Sequence, residues 1–336
     1  MAAAAALHTC SIGHSCKLLV ATLMLLLAAS AILLRNSKHR SAAHQLGRGF
    51  IAGTTQSGSQ ALPVVQGEPR KGRTPAEEQL WLQLHNMYVA EAQQLAQKGV
   101  DLVFYGDSIT EAMRGTTMGY PNEKHAATPA VVQRHYGHIR MAALSLAGDT
   151  TLNLLWRVQN GEGPAFSPKV AVLLIGTNDL TNPVYALDTN NPIETGAIVA
   201  AGAVAAVQAM LRQSARMHVI MLAITPRGER FAFASAADKY SQPSRLSPAI
   251  AATNMQLKRA ADGQERVTYV DCNAVLLKQG ATSGMQIDPE LMPDSLHPNA
   301  KGMDLYLDCL DQHLKPYLPV KRGLDVATSR PIGVPH

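Results

Sequence analysis

Five short apolar runs punctuate this chain: Val100 to Tyr105, Met141 to Leu146, Val170 to Ile175, His218 to Ile224 and Val267 to Val270. Runs of this length, with almost no polar interruption, read as strands buried on both faces. The stretches around them have a different period. Glu77 to Gln97 places Leu80, Leu84, Met87, Tyr88 and Leu95 on one helical face, and Lys98-Gly99 ends it. Ala197 to Ser214 carries Val204, Val207, Met210 and Leu211 at spacings of three and four. Ser247 to Ala261 carries Ile250, Met255 and Leu257, and Lys301 to Leu314 repeats Met303, Leu307, Leu310 and Leu314. Short strands alternating with helices predict a parallel sheet covered on both faces, an α/β domain over residues 76–318. In such sheets ligands bind beyond the carboxyl ends of the strands. The segment after each run is therefore where chemistry is sought.

The apolar content is mainly Ala, Leu and Val, with only 5% aromatic residues, which suits close packing of helices on a sheet. The formal charge of +5 comes from one end of the chain. Residues 1–67 contain Lys17, Arg35, Lys38, Arg40 and Arg48 and no acid, so 25 basic residues face 25 acidic ones in the remainder. A neutral body lacks the basic face of a nucleic-acid binder. Of four cysteines, Cys10 and Cys16 precede the domain. Cys272 and Cys309 are too few for a disulfide framework; a bridge between them is possible, but they are read in preference as small buried hydrophobes.

The chain opens with a leader, residues 1–40. Leu18 to Leu34 is an uncharged apolar run of 17 residues, at the lower end of what spans a bilayer. Ala29-Ser30-Ala31 is a candidate cleavage site, but Ile32-Leu33-Leu34 follow it, so an uncleaved membrane anchor is favoured over a signal peptide. An acid-free, Ala-rich leader also admits an organelle transit peptide. Arg35, Lys38 and Arg40 after the run, against Lys17 before it, leave the orientation open. The expected location is membrane-anchored or secretory, with an organelle as the alternative. Residues 41–75, rich in Gly, Ser, Gln, Ala and Pro, read as a flexible linker, and 319–336 as a disordered tail.

Four elements at strand ends carry chemistry. Gly106-Asp107-Ser108 puts Ser108 at a strand-to-helix turn, where it serves equally as nucleophile or helix cap. Gly148 permits close backbone approach to a ligand, or simply a tight turn. Gly176-Thr177-Asn178-Asp179 offers the Asn178 amide to an oxyanion, or an Asn–Asp turn. Asp294-Ser295-Leu296-His297 lets an acid orient an imidazole, or marks a surface helix cap. Each has a bland alternative when taken alone.

In this order, the four elements resemble the sequence blocks of SGNH (GDSL-type) hydrolases, from about Val100 to Leu318. The resemblance implies a flavodoxin-like three-layer α/β/α fold with a five-stranded parallel sheet. It implies catalytic Ser108, Asp294 and His297, and an oxyanion hole from Ser108, Gly148 and Asn178. It implies a serine esterase that needs no cofactor or metal and hydrolyses short-chain, notably acetyl, esters of a lipid or an acetylated sugar. Gly148 to Thr151, Leu155 to Glu162, Ile224 to Arg227 and Asn254 look like the catalytic subunits of intracellular platelet-activating-factor acetylhydrolase. Those subunits form dimers and dock on a β-propeller, so a homodimer is among the implied partners. Trp156 and Arg157 are read as structural, with Gly161 as a helix C-cap. The chain departs from that pattern at Asp179, where those enzymes have a second Asn, and around Asp188 to Glu194 and Arg230 to Leu246. A carbohydrate O-acetylesterase and a non-catalytic scaffold are the alternative functions. GxSxG, P-loop, dinucleotide and HExxH motifs are absent. His125, His135 and His138 are read as surface histidines and not as metal ligands.

Overall fold

The five apolar runs form five strands in the computed structural model: β1 Leu102–Gly106, β2 Met141–Ser145, β3 Val170–Leu174, β4 His218–Leu222 and β5 Val267–Val270. The structure describes residues 61–182, 187–228, 239–280 and 284–318. The expected leader, the first part of the expected linker (41–60) and the expected tail lie outside these residues. The strands pair in parallel in the order β2-β1-β3-β4-β5. This is the flavodoxin-like order, and the chain reverses its direction of winding between β1 and β3, where such sheets bind ligands.

Alternation along each strand feeds two cores. Val103, Tyr105, Leu144, Leu173, Val219 and Met221 face one side. There they meet α1 (Pro75–Lys98), α4 (Thr151–Arg157), α5 (Pro192–Gln213) and α6 (Ser247–Ala261). Leu102, Phe104, Val172, Leu174, Ile220 and Leu222 face the other side, under α3 (Thr128–Tyr136) and α7 (Ala300–Leu314). A one-turn helix, α2 (Ser108–Glu111), follows β1 directly. The result is the expected three-layer α/β/α domain. By composition α5 is apolar enough to cross a membrane, but Val199, Ala200, Ala203, Ala206 and Met210 belong to the core, so its apolarity serves packing on the sheet.

Several expectations need correction. On α1 the buried stripe is Trp81, Leu84, His85, Tyr88 and Ala92, and Met87 is 57% exposed. The shift follows from polar partners: Trp81 and His85 bond to buried acids beneath the helix. The helix α3 is short and rich in β-branched and polar residues, and no helical period marks it in the sequence; the helix expected around Trp156 is α4. The start of α4 is fixed by reciprocal capping between Thr150 and Asn153. Gly161, at φ +111°, ends a single wide turn that extends α4.

The stretch from residue 61 to 74 is seated on the domain, although the linker was expected to reach residue 75. Leu62 and Val65 pack against the core, Glu68 N–H donates to the Leu152 carbonyl, and Asn153 Nδ2 donates to the Glu68 carbonyl. Its Gly- and Pro-rich composition hid these anchors. Cys272 and Cys309 form a disulfide, with Cα atoms 5.9 Å apart. It ties the end of β5 to α7, two elements whose adjacency depends on the sheet and not on the 37-residue spacing.

Candidate active site

β1 ends against its neighbour so closely that a Cβ at Gly106 would lie 2.2 Å from the Leu174 carbonyl oxygen. Glycine at that position therefore lets the chain turn out of the sheet into α2. Asp107 is the cap of α2: its Oδ1 accepts from the Ile109 N–H at 2.9 Å. Ser108 is thus released from capping, and its Oγ lies 2.8 Å from His297 Nε2. Asp107 Oδ2 is buried and has no hydrogen-bond partner among the described residues. Burial pushes this carboxyl up to about 7, and the charges of Asp149 and Asp179 add to the shift.

The same division of labour holds at the other end of the chain. Asn299, not Asp294, caps α7, accepting from the Gly302 N–H at 3.0 Å. Ser295 takes a left-handed turn at φ +61°. Asp294 Oδ1 accepts the N–H groups of Leu296 and His297, at 3.1 and 2.7 Å, and Oδ2 lies 2.7 Å from His297 Nδ1. Burial pushes the Asp294 carboxyl up, but the His297 ring and these N–H groups outweigh it and hold it well below the usual carboxylate range. An anionic Asp294 can only accept, so the His297 Nδ1–H points to it and Nε2 is the ring nitrogen that faces Ser108.

The other two elements follow the strands that flank β1 on either side. Gly148 follows β2 at φ +83°, a conformation that favours glycine. Asn178, in the turn after β3, donates through Nδ2 to the Asp149 carbonyl at 2.9 Å. It also behaves as a turn residue, since its carbonyl accepts from Thr181 and Asn182. The next residue, Asp179, accepts the Thr151 N–H and hydroxyl. Ser108, Gly148, Asn178 and the Asp294/His297 pair thus all lie at the carboxyl ends of the sheet or in the final loop beside it. A hydroxyl next to an imidazole that an acid orients is an arrangement able to attack a carbonyl carbon.

Residues 104–305, well over half of the chain, match the GDSL-like lipase/acylhydrolase family. The chain belongs to this family. Its relatives are esterases, and this GDSL-like protein is a carboxylic ester hydrolase. The alpha1 subunit of platelet-activating factor acetylhydrolase IB from Bos taurus is 24% identical over 254 residues, covering 75% of this chain and 86% of that protein. The alpha2 subunit from Homo sapiens is 29% identical over 170 residues, covering 51% of this chain and 58% of that protein. Among solved structures, an acetylxylan esterase from Geobacillus stearothermophilus aligns with 16% identity and a TM-score of 0.43, covering 69% of this chain and 98% of that one.

Beneath the site, the GDSL-like hydrolase carries a buried ionic network that the sequence reading reduced to a structural Trp-Arg pair. Arg157 is fully buried. Its Nε donates to Asp149 Oδ2 at 2.7 Å, Nη1 donates to Glu162 Oε2, and Nη2 reaches the Gly106 carbonyl at 3.3 Å. Trp81 Nε1 donates to Asp149 Oδ1 at 2.7 Å, and His85 Nδ1 lies 2.6 Å from Glu162 Oε1. Burial pushes the Asp149 carboxyl up to about 6, against the pull of the Arg157 charge. A buried pair of this kind is weak evidence for stability. Its placement is more telling, because it joins the end of β1 to the residue whose carbonyl holds Asn178.

Two histidines need correction. His125 is buried, its ring 5.9 Å from that of His297 in an edge-on contact. Burial first, and then the nearby His297, push its pKa down. His135 is also buried, with Nδ1 2.8 Å from Asp311 and Nε2 2.9 Å from Asp304. Hydrogen bonding to Asp311 pushes its pKa up, against the effect of burial. Only His138 is exposed. Sequence reasoning also passed over Glu111, which is fully buried. Its Oε1 accepts from Thr116 Oγ1 and the Gly119 N–H, and its Oε2 accepts the Ala147 N–H at 2.6 Å. The available signal was a Glu three residues after Ser108, on a turn whose other residues are apolar or small.

Proposed function

We propose that this hydrolase is a serine esterase that cleaves short-chain esters, chiefly acetyl esters, through an acyl-enzyme. The observation that carries this reading is the unbroken chain from Ser108 Oγ to His297 Nε2 at 2.8 Å and from His297 Nδ1 to Asp294 Oδ2 at 2.7 Å. His297 takes the Ser108 proton as Oγ attacks the ester carbonyl. Asp294 keeps the ring in the tautomer that can do so and stabilises the imidazolium. The N–H groups of Ser108 and Gly148 and the Asn178 amide stabilise the oxyanion. His297 then protonates the leaving alcohol, and water releases the acyl group by the reverse sequence. The acetyl preference draws its support from the acetylhydrolase subunits among the relatives.

The test is Ser108→Ala in the full chain. It should abolish p-nitrophenyl acetate hydrolysis and fluorophosphonate labelling while leaving the unfolding midpoint unchanged. Turnover at the wild-type rate would sink the assignment, and a wild-type protein that neither turns over nor labels would favour a scaffold.

A carbohydrate O-acetylesterase is the second reading, and the Cys272–Cys309 disulfide favours it. Disulfides persist in oxidising compartments and are rare in the cytosol. That supports a domain delivered across a membrane, where acetylated polysaccharides are met, with Leu18 to Leu34 as anchor or signal. Protease protection of the tagged protein in sealed vesicles tests the topology. Acetylated xylooligosaccharide compared with an acetylated glycerolipid tests the substrate. Size-exclusion chromatography with light scattering tests the homodimer.

A further inference from the structure

Ala147 is held at both of its backbone groups, its N–H in the peptide from Leu146 and its C=O in the peptide to Gly148. Glu111 Oε2 accepts the Ala147 N–H at 2.6 Å and fixes the residue from beneath. Arg70 Nη1 donates to the Ala147 carbonyl oxygen at 2.5 Å. A trans peptide is planar, so its C=O and the following N–H point in opposite directions. Fixing the Ala147 carbonyl therefore fixes the direction of the Gly148 N–H. A charged donor on the carbonyl also draws density out of the amide and makes that N–H a stronger donor, since bonded amides polarise one another.

Arg70 is itself held in place. It lies in the 61–74 segment, which is anchored two residues earlier by the Glu68 backbone bonds to Leu152 and Asn153. Its Nη1 also lies 3.5 Å from Met118 Sδ. The guanidinium rests directly on Gly148, where a Cβ would come within 2.7 Å of Nη2. Glycine at 148 thus satisfies both the positive φ and the approach of Arg70.

We propose that Arg70, supplied by the segment ahead of the first helix, is a positioning residue of the oxyanion hole that aims and polarises the Gly148 N–H. This rests on the reading of Gly148 as an oxyanion donor. Arg70 then acts on transition-state stabilisation and not on substrate binding, so its loss should lower kcat and leave KM alone.

The experiment uses the full chain with p-nitrophenyl acetate. Arg70→Met should lower kcat by about tenfold to hundredfold, less than or comparable to loss of an oxyanion donor, with KM within about twofold of wild type. The rate of Ser108 labelling by a fluorophosphonate should fall in parallel, because phosphonylation develops charge in the same hole. Arg70→Lys, which keeps a charged donor, should recover part of kcat, and added guanidinium ion should raise kcat of R70M without raising that of wild type. A kcat within about twofold of wild type overturns the proposal. So does a change confined to KM, or a loss that neither Lys nor guanidinium restores. If R70M does not fold, Arg70→Gln takes its place: it keeps a donor and removes the charge, so kcat should fall with KM unchanged, and an unchanged kcat overturns the proposal. Failure of the esterase reading itself would show separately, as a wild-type protein with no turnover and no labelling.

Discussion

Asn178 donates its side-chain amide to the main-chain carbonyl of Asp149 at 2.9 Å, tying the turn after β3 to the turn after β2. The bond uses one of the two Nδ2 protons, and the other is the one assigned to the oxyanion in the proposed mechanism. Asp149 is in turn clamped by Arg157 and Trp81, so a buried network helps to set the orientation of Asn178 beside its own turn.

Asn178→Ala should therefore lower kcat by roughly 10²–10³, the usual cost of removing one oxyanion donor. Steady-state kinetics on p-nitrophenyl acetate check this. A loss of only about twofold would reduce Asn178 to a turn residue.

Asp294→Asn retains an oxygen for the N–H groups of Leu296 and His297, so the loop should keep its shape. An amide in place of Oδ2 favours the wrong imidazole tautomer, and kcat should fall by on the order of 10⁴. Unfolding midpoints and circular dichroism establish that the fold is intact. Activity within tenfold of wild type would remove Asp294 from the mechanism.

The Cys272–Cys309 bridge closes a loop spanning 37 positions. By loop-closure entropy its removal should cost about 3–4 kcal/mol. Urea unfolding of wild type with and without a reductant, and of the Cys272→Ala/Cys309→Ala double variant, measures the loss. Coincident oxidised and reduced transitions would show that the bridge does not form.

Asp179 is, with Asp107 and Asp149, one of three buried carboxyls among the described residues through which pH should act on stability. Burial, opposed by its bonds to Thr151, pushes it up from 3.8 to about 7. Between these values the native state binds the proton that the unfolded chain has lost, so this group makes stability fall as pH rises through that window. Asp294 acts with the opposite sign: its depressed carboxyl stabilises the fold above the ordinary value of 3.8, and that contribution is lost as pH falls below it. Urea midpoints should accordingly decrease from pH 5 to pH 7, and Asp179→Asn should make the decrease shallower. An unchanged slope in the variant would mean that Asp179 is already ionised at pH 5.

The strand runs were legible because a strand buried on both faces must be apolar throughout, and the structure moves their ends by at most two residues. The helix α1 was legible as a helix but not in its facing. Trp81 and His85 belong to the buried stripe because of acids that the sequence places far away, at Asp149 and Glu162. His125 shows the same limit: a lone histidine in a polar stretch carries no sign that it will lie against His297.

By itself, the sequence determined the alternation of buried strands with helices, because periodicity is a local property of the chain, and the order of its strand-end motifs named Ser108, Gly148, Asn178, Asp294 and His297 as candidates. Only the tertiary structure decided that Asp107 and Asn299 do the capping and so leave Ser108 and Asp294 for His297. It alone brought Arg70 and Glu111 to opposite ends of the Ala147 backbone and paired Cys272 with Cys309. Hydrogen bonds and bridges between residues far apart in sequence depend on how the layers stack, and no local pattern records that.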